Sequence, residues 1–153
     1  VSDPRATRAW RLAGALCALV VLIDQGAKAL IEANLVPGQH VDVLGPLDFT
    51  LTHNRGVAFG LASGGGTALV ALTVAALLFV GVLFARNPTR PGMWVAVGLL
   101  AGGALGNLAD RVRAGAVTDY IDVLGWPPFN LADVAITLGV LALALSYIGE
   151  ADR

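Results

Sequence analysis

Four long apolar runs alternate along the chain with polar segments of very unequal length. The runs cover about 12–31, 67–85, 92–108 and 131–149. Each approaches the roughly 20 residues a helix needs to cross a hydrocarbon core about 30 Å thick. The connection at 86–91 is a tight turn, whereas 32–66 and 109–130 are long and polar. Four crossings put both termini and the tight turn on one side of a membrane, and both long connections on the other. Within the first long connection the period changes. Leu47, Phe49 and Leu51 alternate with Asp48, Thr50 and Thr52, the signature of a half-buried strand. Pro37-Gly38 and Gly45-Pro46 punctuate it as turns. The pattern over 36–60 predicts a small β-sheet lying on the membrane surface as a cradle, and Gly64-Gly65-Gly66 a flexible lead into the second span.

The expected architecture is therefore an all-α membrane protein of four transmembrane helices with a small extracytoplasmic β-sheet cradle, in one integral membrane domain spanning 1–153. In the third span Gly98, Gly102 and Gly106 recur every four residues. Such a stripe of small residues lets a neighbouring helix approach closely, and packing is the role expected of it.

Composition agrees with the pattern. The chain is 56% hydrophobic and 14% charged, with a mean hydropathy of +0.73, against roughly 45–50% and about 25% in soluble domains. The net charge of −1 carries no signal for nucleic acid. The single Cys17 excludes an internal disulfide, and His40 and His53 without a cysteine cluster make a structural zinc site a poor fit. Arg5, Arg8 and Arg11 imitate the basic start of a signal peptide. However, the run that follows is longer than the usual 7–15 apolar residues and lacks an Ala-x-Ala exit, so a retained first helix is expected. Arg5, Arg8, Arg11, Arg86, Arg90 and Arg153 lie on one side, against Arg55, Arg111 and Arg113, with Lys28 near their edge, on the other. The positive-inside rule then makes both termini cytoplasmic.

Polar chemistry gathers at the outer side. Asp24, Lys28, Asn54, Asn107, Asp110, Arg111, Asp119, Asn130 and Asp133 all lie in or beside the outer ends. Ionisable groups at bilayer depth are costly and point to function. Asp119 and Asp133 stand 14 residues apart (133 − 119), joined by a loop that Trp126-Pro127-Pro128 would stiffen. Two carboxylates sharing one site tend to share one proton. One can then take a proton from water while the other donates to a carbonyl oxygen. Alternatively, Asp119 caps a turn and Asp133 stabilises the first turn of the fourth helix through the macrodipole. Asp24 and Lys28 form an i, i+4 pair suited to mutual neutralisation, or to anchoring the outer sheet. Arg111 is a snorkelling anchor or a clamp on substrate backbone. Asn54, Asn107 and Asn130 suit holding a peptide or orienting a carboxylate, as well as ordinary loop bonding.

Taken in order, Asp24-Gln25-Gly26-Ala27-Lys28, Asn54 to Gly60, Gly106 to Arg111 with Val117 to Tyr120, and Phe129 to Asp133 resemble the motifs of bacterial lipoprotein signal peptidases, or signal peptidase II. The departure is Ala27, where the family more usually carries Ser or Thr. The resemblance implies an intramembrane aspartic endopeptidase of the bacterial inner membrane, with its site toward the outer leaflet. It would remove the signal peptide from diacylglyceryl-modified prolipoproteins, cutting just before the lipidated cysteine. Asp119 and Asp133 take the place of the dyad. Asn54, Asn107, Arg111 and Asn130 fall at binding and support positions, Gly56 and Phe59 in the outer cradle, and Asp24 with Lys28 at the stabilising pair. Neither metal nor cofactor is expected. The implied partners are the lipidated prolipoprotein and membrane lipid, with the chain acting as a monomer and no nucleic acid involved.

Two other classes of function compete. A proton-coupled transporter would spread its carboxylates over several depths, whereas this chain groups them on one side. A non-enzymatic assembly subunit would use the glycines and polar residues for packing alone.

Overall fold

A computed structural model of the protein describes residues 3–56 and 65–151. The expected residues Val57 to Gly60, Phe59 among them, and Gly64 lie outside the described part. The chain runs α1 (Pro4–Asn34), β1 (His40–Leu44), β2 (Leu47–Asn54), α2 (Gly65–Arg86), α3 (Met93–Ala114), β3 (Val117–Val123) and α4 (Leu131–Ala151). All four helices are long and apolar enough to cross a membrane.

The helices outrun the apolar runs that announce them. α1 begins eight residues before position 12 because Asp3 caps it, accepting from the Arg5 amide at 2.8 Å, and Pro4 supplies a preset φ at its first turn. Its 31 residues reach about 46 Å, so its last turns stand clear of a hydrocarbon core. The helix ends where Leu35 turns extended, two residues before Pro37. α3 likewise runs on through Asp110, Arg111 and Arg113 to Ala114 and stops at Gly115, whose φ of +71° ends the helix in a left-handed cap.

α3 is the hub. It packs on α1, α2 and α4, and most of its span is buried, whereas the other three helices are largely exposed. Glycine makes this possible. A β-carbon on Gly98 or Gly102 would lie 2.9 Å from Leu16 or 2.6 Å from Val20, and one on Gly106 would lie 2.6 Å from Asp24 Oδ2. Leu16, Val20 and Asp24 are themselves spaced by four, so one stripe of α1 lies in the glycine groove of α3, as small-residue packing predicts. Gly103 faces the other way, where a β-carbon would collide with the Ala132 carbonyl and lie 2.8 Å from Ile136 on α4. At the end of the bundle carrying the termini, Ala9, Ala13, Phe84, Met93 and Val97 form a closed apolar cluster, with the Trp10 ring tilted 52° to that of Phe84 at 4.5 Å between centroids.

At the opposite end lies an antiparallel sheet of order β1-β2-β3. The predicted turns at Pro37-Gly38 and Gly45-Pro46 are both present, with the two glycines at positive φ. The third strand is not announced by the alternation at 47–52. β3 comes from the connection between α3 and α4, and its residues are buried in succession, so it carries no alternation. An irregularity between Phe49 and Thr52 shifts the register so that Thr52 pairs with Asp119.

A Gly103→Val variant should lose at least about 1–3 kcal/mol of stability, the usual cost of overpacking. Gly14→Ala, where an added β-carbon meets nothing within 4 Å, should not. Thermal unfolding in detergent micelles compares the two.

Candidate active site

The sheet end of the bundle is where the polar residues meet. Lys28, 3% exposed, sits between two carboxylates, Asp24 Oδ2 at 2.8 Å and Asp110 Oδ2 at 2.7 Å, and donates to Asn107 Oδ1 at 3.0 Å. The i, i+4 pair expected on α1 is thus half of a cluster that spans α1 and α3. Arg113, largely exposed, adds a second cation against Asp110 at 3.1 Å, so two positive charges balance two negative ones. Buried charge is tolerated only when paired and hydrogen-bonded to this degree.

Asp24 also serves α4. Its Oδ1 accepts from the backbone N–H of Ala132 at 3.0 Å, one of the donors the first turn of a helix leaves unsatisfied. The start of α4 is closed by a reciprocal cap as well. Asn130 Oδ1 accepts from the Asp133 amide at 3.0 Å, and Asp133 Oδ2 accepts from the Asn130 amide at 3.3 Å. The helix-stabilising role open to Asp133 is therefore real. It leaves Oδ1 to accept from Asn107 Nδ2 at 2.8 Å.

Asp119 does not cap a turn. It lies inside β3, 3% exposed. Its Oδ1 accepts from Asn130 Nδ2 at 2.7 Å and its Oδ2 from Asn54 Nδ2 at 3.0 Å. Asn130, fully buried, thus touches both carboxylates and also donates to Asn107 Oδ1 at 3.1 Å. The chain is brought to this point by a short bridge. Phe129 donates to Ile121 O at 3.0 Å and accepts from the Ile121 and Tyr120 amides at 2.8 and 3.0 Å. The loop after Leu124 and Gly125, both at positive φ, is thereby folded back on β3, and Asn130 lands beside Asp119.

Of the remaining expected residues, Gly56 has φ +75°, donates its amide to Asn54 Oδ1 at 2.8 Å, and has no room for a β-carbon beside Leu69. It therefore orients the amide that holds Asp119. Arg111 reaches back to Asn107 O at 3.5 Å and lines a groove of about 540 Å³ together with Asn107 and Asp133. Leu72, Ala76, Leu100 and Ile136 form its apolar walls, so the groove runs among α2, α3 and α4. Asp133 opens onto it.

The structure adds participants to which the sequence assigned no role. Gln25 donates to Asp24 Oδ2, Gly106 O and Asp110 Oδ1 at 3.2, 3.2 and 3.0 Å, and accepts from Arg113. A glutamine in an apolar run was the available signal. Thr118 donates its amide to Asp110 and its hydroxyl to Glu32, fastening β3 to α3 and α1. Tyr120 is held protonated, its phenol pushed up to about 12 by burial and then by the Asp24 charge.

Burial raises the Asp119 carboxyl to about 6; the Asp133 charge adds to this, while the Asn54 and Asn130 hydrogen bonds and Lys28 oppose it. Asp119 thus keeps its proton into mildly acidic solution. Among the described residues no group of His, Cys, Asp and Glu is arranged to hold a metal ion.

Four helices able to cross a membrane, with a polar cluster holding Asp119 and Asp133 at the sheet end, define a multi-pass membrane protein. Comparison with known proteins narrows this. Residues 16–149 match the sequence profile of the family described as signal peptidase (SPase) II. The lipoprotein signal peptidase of Pelotomaculum thermopropionicum is 41% identical, covering 90% of this chain and 92% of its own. That of Moorella thermoacetica is 42% identical, covering 90% and 95%. A bacterial membrane enzyme solved in meso at 1.9 Å superposes with a TM-score of 0.83 at 33% identity, covering 88% of this chain and 91% of that one. The chain belongs to the signal peptidase II family, the lipoprotein signal peptidases, and is by that membership a membrane-embedded protease.

Removing the Asn54 bond takes away an interaction that favours the ionised carboxylate, so Asn54→Ala should move the Asp119 titration above about 6. The sign for stability follows. Between the ordinary carboxylate value of 3.8 and about 6 the folded state holds the extra proton, so stability falls as pH rises through that window. Carboxyl-selective infrared or carbon-13 NMR titration of both proteins checks the direction.

Proposed function

We propose that the protein is an aspartic endopeptidase in which Asp119 and Asp133 act as the dyad. The observation that carries this reading is the single residue Asn130, hydrogen-bonded to both carboxylates while Asp133 faces the groove among the helices. A protonated Asp119 donates to the scissile carbonyl oxygen, and an ionised Asp133 takes a proton from the attacking water. On collapse of the tetrahedral intermediate Asp133 passes its proton to the leaving amine, and Asp119 takes back the proton it gave to the oxygen. The remaining groups hold these two in place. Asn54 and Asn130 donate to Asp119, and Asn107 donates to Asp133 while its own carbonyl is polarised by Lys28. The Arg111 guanidinium, on the wall of the groove, is placed to bind substrate backbone. No metal is required by this chemistry.

The proposed substrate is a diacylglyceryl-modified prolipoprotein, cut just before its lipidated cysteine. The groove supports this because its walls are apolar while its upper end carries Asn107, Arg111 and Asp133. A peptide anchored in lipid would then present its scissile bond where hydrocarbon gives way to polar groups. Low local dielectric there strengthens the electrostatic stabilisation of an oxyanion. The distribution of arginines supports an inner-membrane orientation with cytoplasmic termini and the sheet toward the outer leaflet.

Asp119→Asn and Asp133→Asn should each lower processing of a lipidated prolipoprotein by at least about 10²–10⁴-fold, with membrane insertion intact. A gel-shift assay on the purified variants reads this, and normal processing by both would end the aspartic reading. Turnover should also survive strong chelators; loss of activity on chelation, restored by added metal, would contradict a metal-free dyad.

A further inference from the structure

Thr118 directly precedes Asp119 and is 4% exposed. Its amide, carbonyl and hydroxyl are all bonded, each to a different part of the fold. The amide donates to Asp110 Oδ2 of α3 at 3.4 Å, and the carbonyl accepts from Asn130 Nδ2 at 3.3 Å. The hydroxyl donates to Glu32 Oε1 of α1 at 2.5 Å, the shortest of the three and a length proper to a hydrogen bond on a carboxylate. Asn130 Nδ2 also donates to Asp119 Oδ1 at 2.7 Å, and the Asn130 amide to Asp133 Oδ2 at 3.3 Å. A displacement of Thr118 is therefore passed to both carboxylates.

The sheet by itself holds this point loosely. β2 pairs with β3 at Phe49 and Ile121 and again at Thr52 and Asp119, with a register shift between. Thr50 and Leu51 thus stand opposite the single residue Tyr120. Such a bulge interrupts the ladder and bends the strand. A slip of one residue there would turn Asp119 to the other face of the sheet. Successive side chains of a strand project to opposite faces. The Thr118 hydroxyl accordingly reaches Glu32 on one face, while the Asp119 carboxylate meets Asn54 and Asn130 on the other. The bond to Glu32 holds β3 from the side that Asp119 does not use.

Thr118 and Glu32 also stand apart from the groove that Asp133 lines. They border a separate polar cleft of about 260 Å³ on the flank of α1 and α3, together with Lys28 and Arg113. That cleft shares no residue with the groove among α2, α3 and α4. Neither residue is placed to touch a substrate bound there. Glu32 is exposed on the cleft, so its carboxylate returns to water when the hydroxyl is removed. Replacing Thr118 by valine therefore leaves no buried carboxylate without a partner.

We propose that Glu32 and Thr118 are positioning residues for Asp119, and that their hydrogen bond pins β3 to α1 and sets where the Asp119 carboxyl stands relative to Asp133. This inference rests on the peptidase reading above. The pair acts only through Asp119 and Asn130, so its loss slows the chemical step and leaves substrate binding as it was.

The test measures kcat and KM for cleavage of a lipidated prolipoprotein in mixed micelles, below the thermal transition of every variant. Thr118→Val should lower kcat by about 10- to 100-fold, the usual penalty for misplaced reacting atoms, with KM unchanged. Thr118→Ser, which restores a hydroxyl, should recover most of that rate. Glu32→Ala should match Thr118→Val, and Glu32→Gln, which keeps an oxygen acceptor, should recover most of its loss. The double variant Thr118→Val/Glu32→Ala should be no slower than either single one, because both remove the same bond. Should Thr118→Val fail to fold, the exposed Glu32 decides through the Ala and Gln variants. Wild-type kcat in Thr118→Val or Glu32→Ala would overturn the proposal. So would a change confined to KM, a serine variant no faster than valine, or losses that multiply in the double variant. A wild type that leaves the prolipoprotein uncut is a separate result, which removes the peptidase reading and this inference with it.

Discussion

A buried ammonium group governs the polar end of this protein. Lys28 is almost fully enclosed, and a lone charge at that position would be untenable in a membrane. It is sustained by Asp24 from its own helix and by Asp110 and Asn107 from α3. Each partner then carries the constraint outward. Asp24 holds the first turn of α4, Asp110 holds β3 through Thr118, and Asn107 holds Asp133. Neutralising one charge thus ties three helices and a strand into fixed relative positions. Removing Lys28 would leave two buried carboxylates without their main partner, the costly half of any buried ion pair.

Close approach is the second condition, and glycine meets it. Asp24 reaches Ala132 only because Gly106 offers no β-carbon in its path, and α4 starts against α3 only because Gly103 leaves space for the Ala132 carbonyl. Lipid provides no hydrophobic drive between helices, so shape fit and internal hydrogen bonds must hold the bundle together. α3 concentrates both. α2, by contrast, packs mainly on α3, and the groove among α2, α3 and α4 stays open beside Asp133.

The two carboxylates are held by different means. Asp133 is anchored in a helical cap and opens on a groove, whereas Asp119 is buried in a strand between two asparagine amides. Neutral donors orient Asp119 without cancelling the effect of burial, so it retains its proton more readily than an exposed carboxylate. Asp24 and Asp110 meet the Lys28 ammonium, whereas the side-chain donors to Asp119 and Asp133 are asparagine amides.

Much of this was legible in the chain. Four apolar runs determined four helices, because nothing else satisfies its own backbone across hydrocarbon. Alternation at 47–52 announced β2, the glycine stripe announced a close helix contact, and the grouping of Asp24, Lys28, Asp119, Asn130 and Asp133 announced that these side chains gather at one end of the bundle. β3 was not legible as a strand, because its residues are buried one after another and a period of two appears only when one face meets a different environment. The helix ends were missed for a related reason: capping by Asp3 and Gly115 sets them, not hydropathy. Gln25 stood in plain view, yet its bonds cross 85 positions to Asp110, a distance no local pattern encodes. The sequence by itself determined the spans and the chemical types gathered at one end. Only the tertiary structure decided which carboxylate accepts from which amide, since those pairings depend on the approach of α1, α3 and α4, and so on glycines whose meaning appears only when a second helix lies against them.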